Sequence, residues 1–84
     1  MENTYMLQVR AQCPVNPMDT DLYDFLIESK ELIKVEEIIR FFEQHAGKNQ
    51  VYQESLTHLA AVTIGAKVTS IGIHSGITVK CVCP

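Results

Sequence analysis

The order of the hydrophobic periods along the chain is the feature that most constrains its fold. Apolar and polar residues alternate over residues 4–12 and 22–27, a helical period begins at Val35, and alternation returns over residues 68–74 and 77–82. Alternation is typical of half-buried strands, and a period near 3.6 residues is typical of amphipathic helices. The sequence therefore predicts an α+β chain with the element order ββααββ.

Turn-forming residues separate the strand-like segments. The stretch CPVNPMDTD, residues 13–21, contains two prolines, and proline fixes φ and donates no backbone hydrogen bond. So short a loop predicts an antiparallel hairpin. The stretch His74-Ser75-Gly76 predicts a second tight turn, in which the glycine adopts a positive φ. We expect a four-stranded antiparallel sheet with both helices on one face.

The two helical segments differ in the residues expected to pack. The first is expected to end at Gly47, in a left-handed C-terminal cap. The second runs from about Gln53 to Ile64, with Gly65 at its end. The inner face of the first helix is predicted to be Val35, Ile38, Ile39 and Phe42, and that of the second Leu56, Leu59, Ala60 and Thr63. Phe41 and Phe42 are most simply core aromatics.

Size and charge narrow the classes of function. The chain has 84 residues, a net charge of −3 and 46% hydrophobic residues. This length suits one domain, residues 1–84, and so small a domain buries only about 60% of its unfolded surface, so we expect a homo-oligomer. Scattered basic residues argue against direct binding of duplex nucleic acid. With no apolar span of about 18 residues and no basic N-terminal start, we expect a cytoplasmic protein without membrane contact.

Three cysteines, Cys13, Cys81 and Cys83, are an odd number, and Cys81-Val82-Cys83 lacks the usual two-residue spacing of metal ligands. Neither a disulfide framework nor a metal site is expected. Cys81 and Cys83 share one face of the last strand and are predicted to pack there.

The stretch VYQESLTHLA, residues 51–60, resembles the start of the second helix in the tunnelling-fold superfamily. This superfamily includes GTP cyclohydrolase I, the pterin synthases and the 7-cyano-7-deazaguanine (preQ0) reductases. There, subunits join into barrels and a Glu anchors a heterocycle between them. The resemblance implies that Glu54, with Gln53 beside it, binds a purine- or pterin-like ring, whose adjacent N–H donors suit a carboxylate. The simpler alternative is an acidic residue favoured by the helix dipole.

His74 has two interpretations. Beside a Ser-Gly turn it is most simply a turn residue, but it lies next to an expected subunit edge, which leaves open a role in substrate binding. His45 and His58 are expected to be solvated at helix ends or surfaces.

The stretch CPVNPMD, residues 13–19, resembles the Cys-Pro-Val-Thr motif of the nitrile reductases. The resemblance implies that Cys13 attacks a nitrile carbon to form a thioimide and that Asp19 handles the protons, with Asp21 as a rival for that role. The alternative for Cys13 is a small buried hydrophobic residue at a strand end.

Two departures from the related families concern cofactors. Where the reductases carry a Glu-Ser-Lys-Ser-Leu-Lys signature for NADPH, this chain has residues 34–39, KVEEII, whose glutamates would repel a 2′-phosphate. No histidine follows Cys13, so the zinc ligands of the cyclohydrolases are missing and that function is disfavoured. We therefore expect neither NADPH nor zinc, and addition of an amine to the thioimide, as in archaeal amidine-forming relatives of the reductases, fits better than reduction.

Three functions from different classes follow. The first is a nitrile-modifying enzyme that uses Cys13, Asp19 and Glu54. The second is a binding module that keeps Glu54 without chemistry. The third is a structural oligomer that shares only the fold, because fold alone does not determine function.

Overall fold

The structure, a computed structural model, describes residues 2–16 and 18–84. Pro17, expected in the first turn, and Met1 lie outside the described residues. The elements are β1 (Asn3–Gln12), β2 (Thr20–Ser29), α1 (Val35–His45), α2 (Gln53–Ile64), β3 (Lys67–His74) and β4 (Ile77–Cys83). The four strands form one antiparallel sheet in the order β1-β2-β3-β4. The predicted α+β fold with the order ββααββ is confirmed.

One face of the sheet is buried beneath the helices. Side chains alternate across a strand, so every second residue of β1, β2 and β3 points into this layer. Phe42 of α1 packs against Phe25 of β2, with ring centroids 4.8 Å apart. The prediction that Phe41 and Phe42 are core aromatics is confirmed. The buried hydrophobic residues are Val9, Ala11, Tyr23, Phe25, Ile27, Ile38, Phe41, Phe42, Ala46, Leu56, Ala60, Ala61 and Val68.

The second strand is longer than its side-chain pattern predicts. It extends two residues beyond the predicted 22–27 at each end, because β1 offers a backbone partner along its whole length, from Gln12 opposite Thr20 to Asn3 opposite Ser29. Backbone pairing continues where the apolar alternation stops. As a consequence, Asp21 occupies a strand position on the same face as Tyr23.

Helix α1 is rotated relative to the prediction. Its buried residues are Ile38, Phe41 and Phe42, whereas Val35 and Ile39 are 55% and 47% exposed. The prediction that Val35 and Ile39 face inward was wrong, because the helix turns the side that carries Phe41 toward the core instead. The helix ends at His45, two residues before the predicted Gly47, which still adopts a positive φ of 69°.

Helix α2 has the predicted bounds, but a different face packs. Gly65 ends it, as predicted, and adopts the left-handed conformation with φ of 75°. Leu59 and Thr63 are exposed, so their predicted inner positions were wrong. The buried residues are Gln53, Leu56, Thr57, Ala60 and Ala61. Two polar side chains, Gln53 and Thr57, face the sheet because β3 presents a buried polar partner to them.

The turn between β3 and β4 contains two residues with positive φ, Ser75 at 51° and Gly76 at 84°. Two successive residues with positive φ are the signature of the type I′ turn, whose twist matches that of an antiparallel hairpin. The tight turn and its glycine were predicted, whereas the positive φ of Ser75 was not.

The other face of the sheet, called the open face below, is not covered by any part of the described chain. Its exposed apolar side chains are Met6, Leu22, Ile71, Ile73 and Val82. A groove of about 640 Å³ runs along it between Met6, Leu26 and Val82. Exposed apolar surface of this kind marks a place of interaction. Within residues 2–16 and 18–84, no helix has the length and hydropathy needed to cross a bilayer.

Candidate functional site

The first turn of α2 presents two polar side chains in opposite environments. Gln53 is 5% exposed, whereas Glu54 is exposed. The side chain of Glu54 makes no hydrogen bond or ion pair with any residue in the ranges 2–16 and 18–84. Its carboxylate is therefore accessible to a ligand, and it lies where the positive end of the helix dipole favours negative charge.

The side-chain amide of Gln53 attaches the start of α2 to β3 and β4. Its Nε2 donates to Ser70 Oγ at 3.0 Å and to the Val79 carbonyl at 3.1 Å. Its Oε1 lies 2.8 Å from His74 Nε2. Because the amide nitrogen faces two acceptors, the amide oxygen faces His74, and His74 Nε2 carries the proton and donates it. The two predicted binding residues Gln53 and His74 are therefore bonded to each other.

Two buried hydroxyl groups extend this network. Thr57 Oγ1 donates to the Gln53 carbonyl at 2.7 Å, and Thr57 Oγ1 lies 2.6 Å from Ser70 Oγ. Ser70 and Thr57 are 0% and 1% exposed. In the described residues, no buried side-chain nitrogen or oxygen lacks a partner. A fully satisfied polar network of this kind holds the first turn of α2 in one position.

Gly72 leaves the space that this arrangement needs. A Cβ atom at Gly72 would lie 2.5 Å from Tyr23 Cδ1 and 3.1 Å from Gln53 Oε1. The Tyr23 ring therefore lies directly over the glycine, and its centroid is 5.8 Å from that of His74. Any larger residue would separate β3 from both side chains.

Tyr23 is a buried phenol surrounded by groups that can carry negative charge. Burial raises the pKa of Tyr23 well above its ordinary value, and the charge of Asp21 together with the hydrogen bond to it raises the pKa further. The Tyr23 hydroxyl donates to Asp21 Oδ2 at 3.1 Å. Cys13 and Cys81 act on the Tyr23 pKa in the same direction through their charge. The phenol thus remains a proton donor at neutral pH, close to both Asp21 and Cys13.

The loop after β1 places Cys13 and Asp19 around a common partner, Asn16. The Asn16 N–H donates to Cys13 Sγ at 3.4 Å, and Asn16 Nδ2 donates to Asp19 Oδ2 at 3.0 Å. The backbone closes the same loop, because the Cys13 N–H donates to the Asp19 carbonyl at 3.0 Å. Asn16 thus holds Cys13 and Asp19 together in one loop. Cys13 is half-buried and Asp19 is exposed.

Backbone hydrogen bonds connect this loop to the segment that leads into α2. The Gln12 N–H donates to the Asn49 carbonyl at 3.2 Å, and the Val51 N–H donates to the Gln12 carbonyl at 3.3 Å. Gln12 directly precedes Cys13, and Val51 lies three residues before Glu54. The two motifs are thus brought to the same end of the sheet.

No protein-family model and no curated protein matches the sequence. The fold, however, is similar to the crystal structure of the archaeosine synthase QueF-Like in the apo form. The TM-score is 0.79 at 16% sequence identity, over 98% of this chain and 90% of that one. The chain adopts the tunnelling fold. In this tunnelling-fold chain the helices and the open face lie on opposite sides of one sheet.

Several residues around the start of α2 were not predicted to belong to the site. Ser70 and Thr57 complete the Gln53 network, and Tyr23 connects it to Asp21. The sequence carried one signal for Ser70. It shares the helix-covered face of β3 with Val68 and Gly72, where an apolar residue would be expected. Thr57 follows Gln53 by four residues, the spacing that brings two side chains together on a helix.

The remaining cysteines and histidines are spread over the tunnelling-fold chain. Cys83 packs against the core, as predicted, and lies near His58, which is exposed, as predicted. His45 lies at the end of α1, as predicted, and is half-buried against Phe41, with ring centroids 4.7 Å apart, so it is only partly solvated. Among the described residues, no three His, Cys, Asp or Glu side chains lie close enough to hold a metal ion. The expectation that the protein uses neither zinc nor NADPH stays a prediction.

Proposed function

We propose that this tunnelling-fold protein binds a purine- or pterin-like heterocycle through Glu54 and adds Cys13 to a nitrile carbon of that ring, as in 7-cyano-7-deazaguanine. One observation carries the proposal. The bonds between Gln12 and residues 49–51 bring the Cys13 loop and the start of α2 to one end of the molecule. The anchor and the nucleophile expected from the resemblance are thus parts of one region.

Glu54 supplies ring recognition. An ionised carboxylate accepts two adjacent N–H donors, and the exposed Glu54 has both oxygens available to a ligand. Gln53 and His74 enter the proposal as positioning residues, because their side chains are bonded to each other and hold the first turn in place. A second copy of the chain, joined at the sheet edges, completes the pocket.

Cys13 supplies the chemistry. Its thiolate adds to the nitrile carbon, and the nitrile nitrogen takes up a proton, which gives a thioimide. Asp19 is the proposed proton donor because Asn16 holds it in the same loop as Cys13, whereas Asp21 is bonded to Tyr23. An amine then adds to the thioimide carbon, and the thiolate leaves and is reprotonated. The product is an amidine, and no nicotinamide is needed. The neighbouring structure is that of an archaeosine synthase, and we extend this kind of chemistry to the present chain as part of the proposal.

Mass spectrometry with 7-cyano-7-deazaguanine tests the proposal. We expect a ring mass that is bound natively, survives denaturation and is absent from Cys13→Ala. Ring bound natively but lost on denaturation would replace the enzyme with a binding module. An intact oligomer that binds no ring or pterin would contradict the proposal and leave a structural role.

Calorimetry of Glu54→Gln tests the anchor separately. Loss of charge-assisted bonds should weaken ring binding by at least about tenfold. Glu37→Gln is the matched control, because Glu37 also lies in the first turn of a helix and is exposed. Equal affinities for Glu54→Gln and Glu37→Gln would remove Glu54 from the site.

A further inference from the structure

Cys83 at the end of β4 and His58 on α2 form a thiol–imidazole pair that the proposed function does not use. Cys83 Sγ lies 3.6 Å from His58 Nδ1, within hydrogen-bonding range for sulfur. The two residues are 25 positions apart in the sequence, so only the packing of α2 on the sheet brings them together. His58 is exposed and Cys83 is half-buried, so solvent reaches the pair.

An open cavity adjoins this pair. Its volume is about 510 Å³, and it lies between the C-terminal half of α2 and the ends of β3 and β4. Its walls include both members of the pair and small or apolar residues such as Val62 and Gly65. A volume of this size falls within the range of small-molecule sites.

We infer that Cys83 and His58 form a reactive thiol site that undergoes exchange with small disulfides. The thiol proton passes to His58 Nδ1, and the resulting thiolate attacks one sulfur of the incoming disulfide. A mixed disulfide forms on Cys83, the second sulfur leaves as a thiolate, and the imidazolium returns the proton to it. Lys67 of β3 also lines the cavity.

The other two thiols lack this arrangement. Cys13 Sγ accepts a hydrogen bond from the Asn16 backbone N–H and is hydrogen-bonded to no histidine among the described residues. The Cys81 thiol makes no hydrogen bond to any residue in the ranges 2–16 and 18–84. All three thiols are half-buried, so exposure alone does not separate them. Cys81 is therefore an internal reference for the reactivity of Cys83.

The test is the rate of mixed-disulfide formation with oxidised glutathione at pH 7, measured for each cysteine by peptide mass mapping without any heterocycle. We expect Cys83 to react at least about tenfold faster than Cys81, and His58→Gln to slow Cys83 by about tenfold while Cys81 keeps its rate. His45→Gln is the matched control and should change neither rate. Equal rates for Cys83 and Cys81, or an unchanged or faster Cys83 in His58→Gln, would overturn the inference. Because no ring is present, its failure would leave the proposed function untouched.

Discussion

At the scale of single residues, Gln53 and Glu54 are adjacent polar side chains with different roles. The Gln53 amide is buried and hydrogen-bonded to Ser70, Val79 and His74, whereas the Glu54 carboxylate is exposed. A buried amide costs free energy unless it is hydrogen-bonded, so Gln53 contributes stability only through these partners. Glu54 contributes little to stability and is available for binding.

Replacing Gln53 with Ala should lower the free energy of unfolding by about 2 kcal/mol, because the half-buried Val79 carbonyl and His74 Nε2 lose their hydrogen-bond partner. Urea denaturation at one fixed protein concentration measures this change. Glu54→Gln and Gln44→Ala, both at exposed positions, are the controls and should change it by less than about 0.5 kcal/mol. If Gln53→Ala matched the controls, the network would not stabilise the start of α2.

At the scale of elements, α1 begins without a side-chain cap. Lys34 occupies the N-cap position with an extended backbone, and its side chain accepts no N–H of the first turn. A positive charge at this end opposes the helix dipole, although Glu36 and Glu37 in the first turn compensate for it. The helix is held mainly by the packing of Phe41 and Phe42 rather than by its ends.

Lys34→Asp should therefore raise the free energy of unfolding by about 1 kcal/mol, since Asp can accept a backbone N–H of the first turn and favours the dipole. Urea denaturation at low ionic strength measures this change in the free energy of unfolding. Lys30→Asp is the control, because it changes the net charge equally at an exposed position outside the helix. A similar gain in both variants would assign the effect to net charge and contradict the capping argument.

At the scale of the whole molecule, the described residues leave β4 and most of β1 without an outer strand partner, and they leave one face of the sheet uncovered. Among the described residues, the outer side of β1 is hydrogen-bonded near its C-terminal end, where Arg10 and Gln12 bond to residues 47–51, and the rest of that side has no strand partner. Met6 and Ile73 on the open face are 79% and 64% exposed. Unpaired edges bring strands of other chains together unless they are protected. Pairing of β1 with β4 of another copy would extend the sheet and enclose the open face.

We therefore expect an oligomer in solution, with backbone amides of β1 and β4 protected at the contact. Hydrogen exchange at high and low protein concentration, together with the native mass, measures this. Amides of β4 should exchange faster on dilution, whereas those of α1 should keep their rates while the chain stays folded. A monomer at all concentrations, with unchanged β4 exchange, would contradict the expected assembly.

The sequence by itself determined the element order and most of the element bounds, because hydrophobic periods and turn residues act over a few neighbouring positions. Helix α2 from Gln53 to Ile64, with its Gly65 cap, is an example. The predicted inner face of α1 was wrong at Val35 and Ile39, because an amphipathic pattern does not show how far a helix is rotated on its sheet.

Only the tertiary structure decided which polar residues meet. Gln53 and Ser70 are 17 positions apart, and Cys83 and His58 are 25 apart, so no local pattern connects them. The same holds for the bonds between Gln12 and Val51, which bring the Cys13 loop beside the helix that carries Glu54. Such contacts depend on how the helices pack across the strands, and that packing is set by the whole core at once.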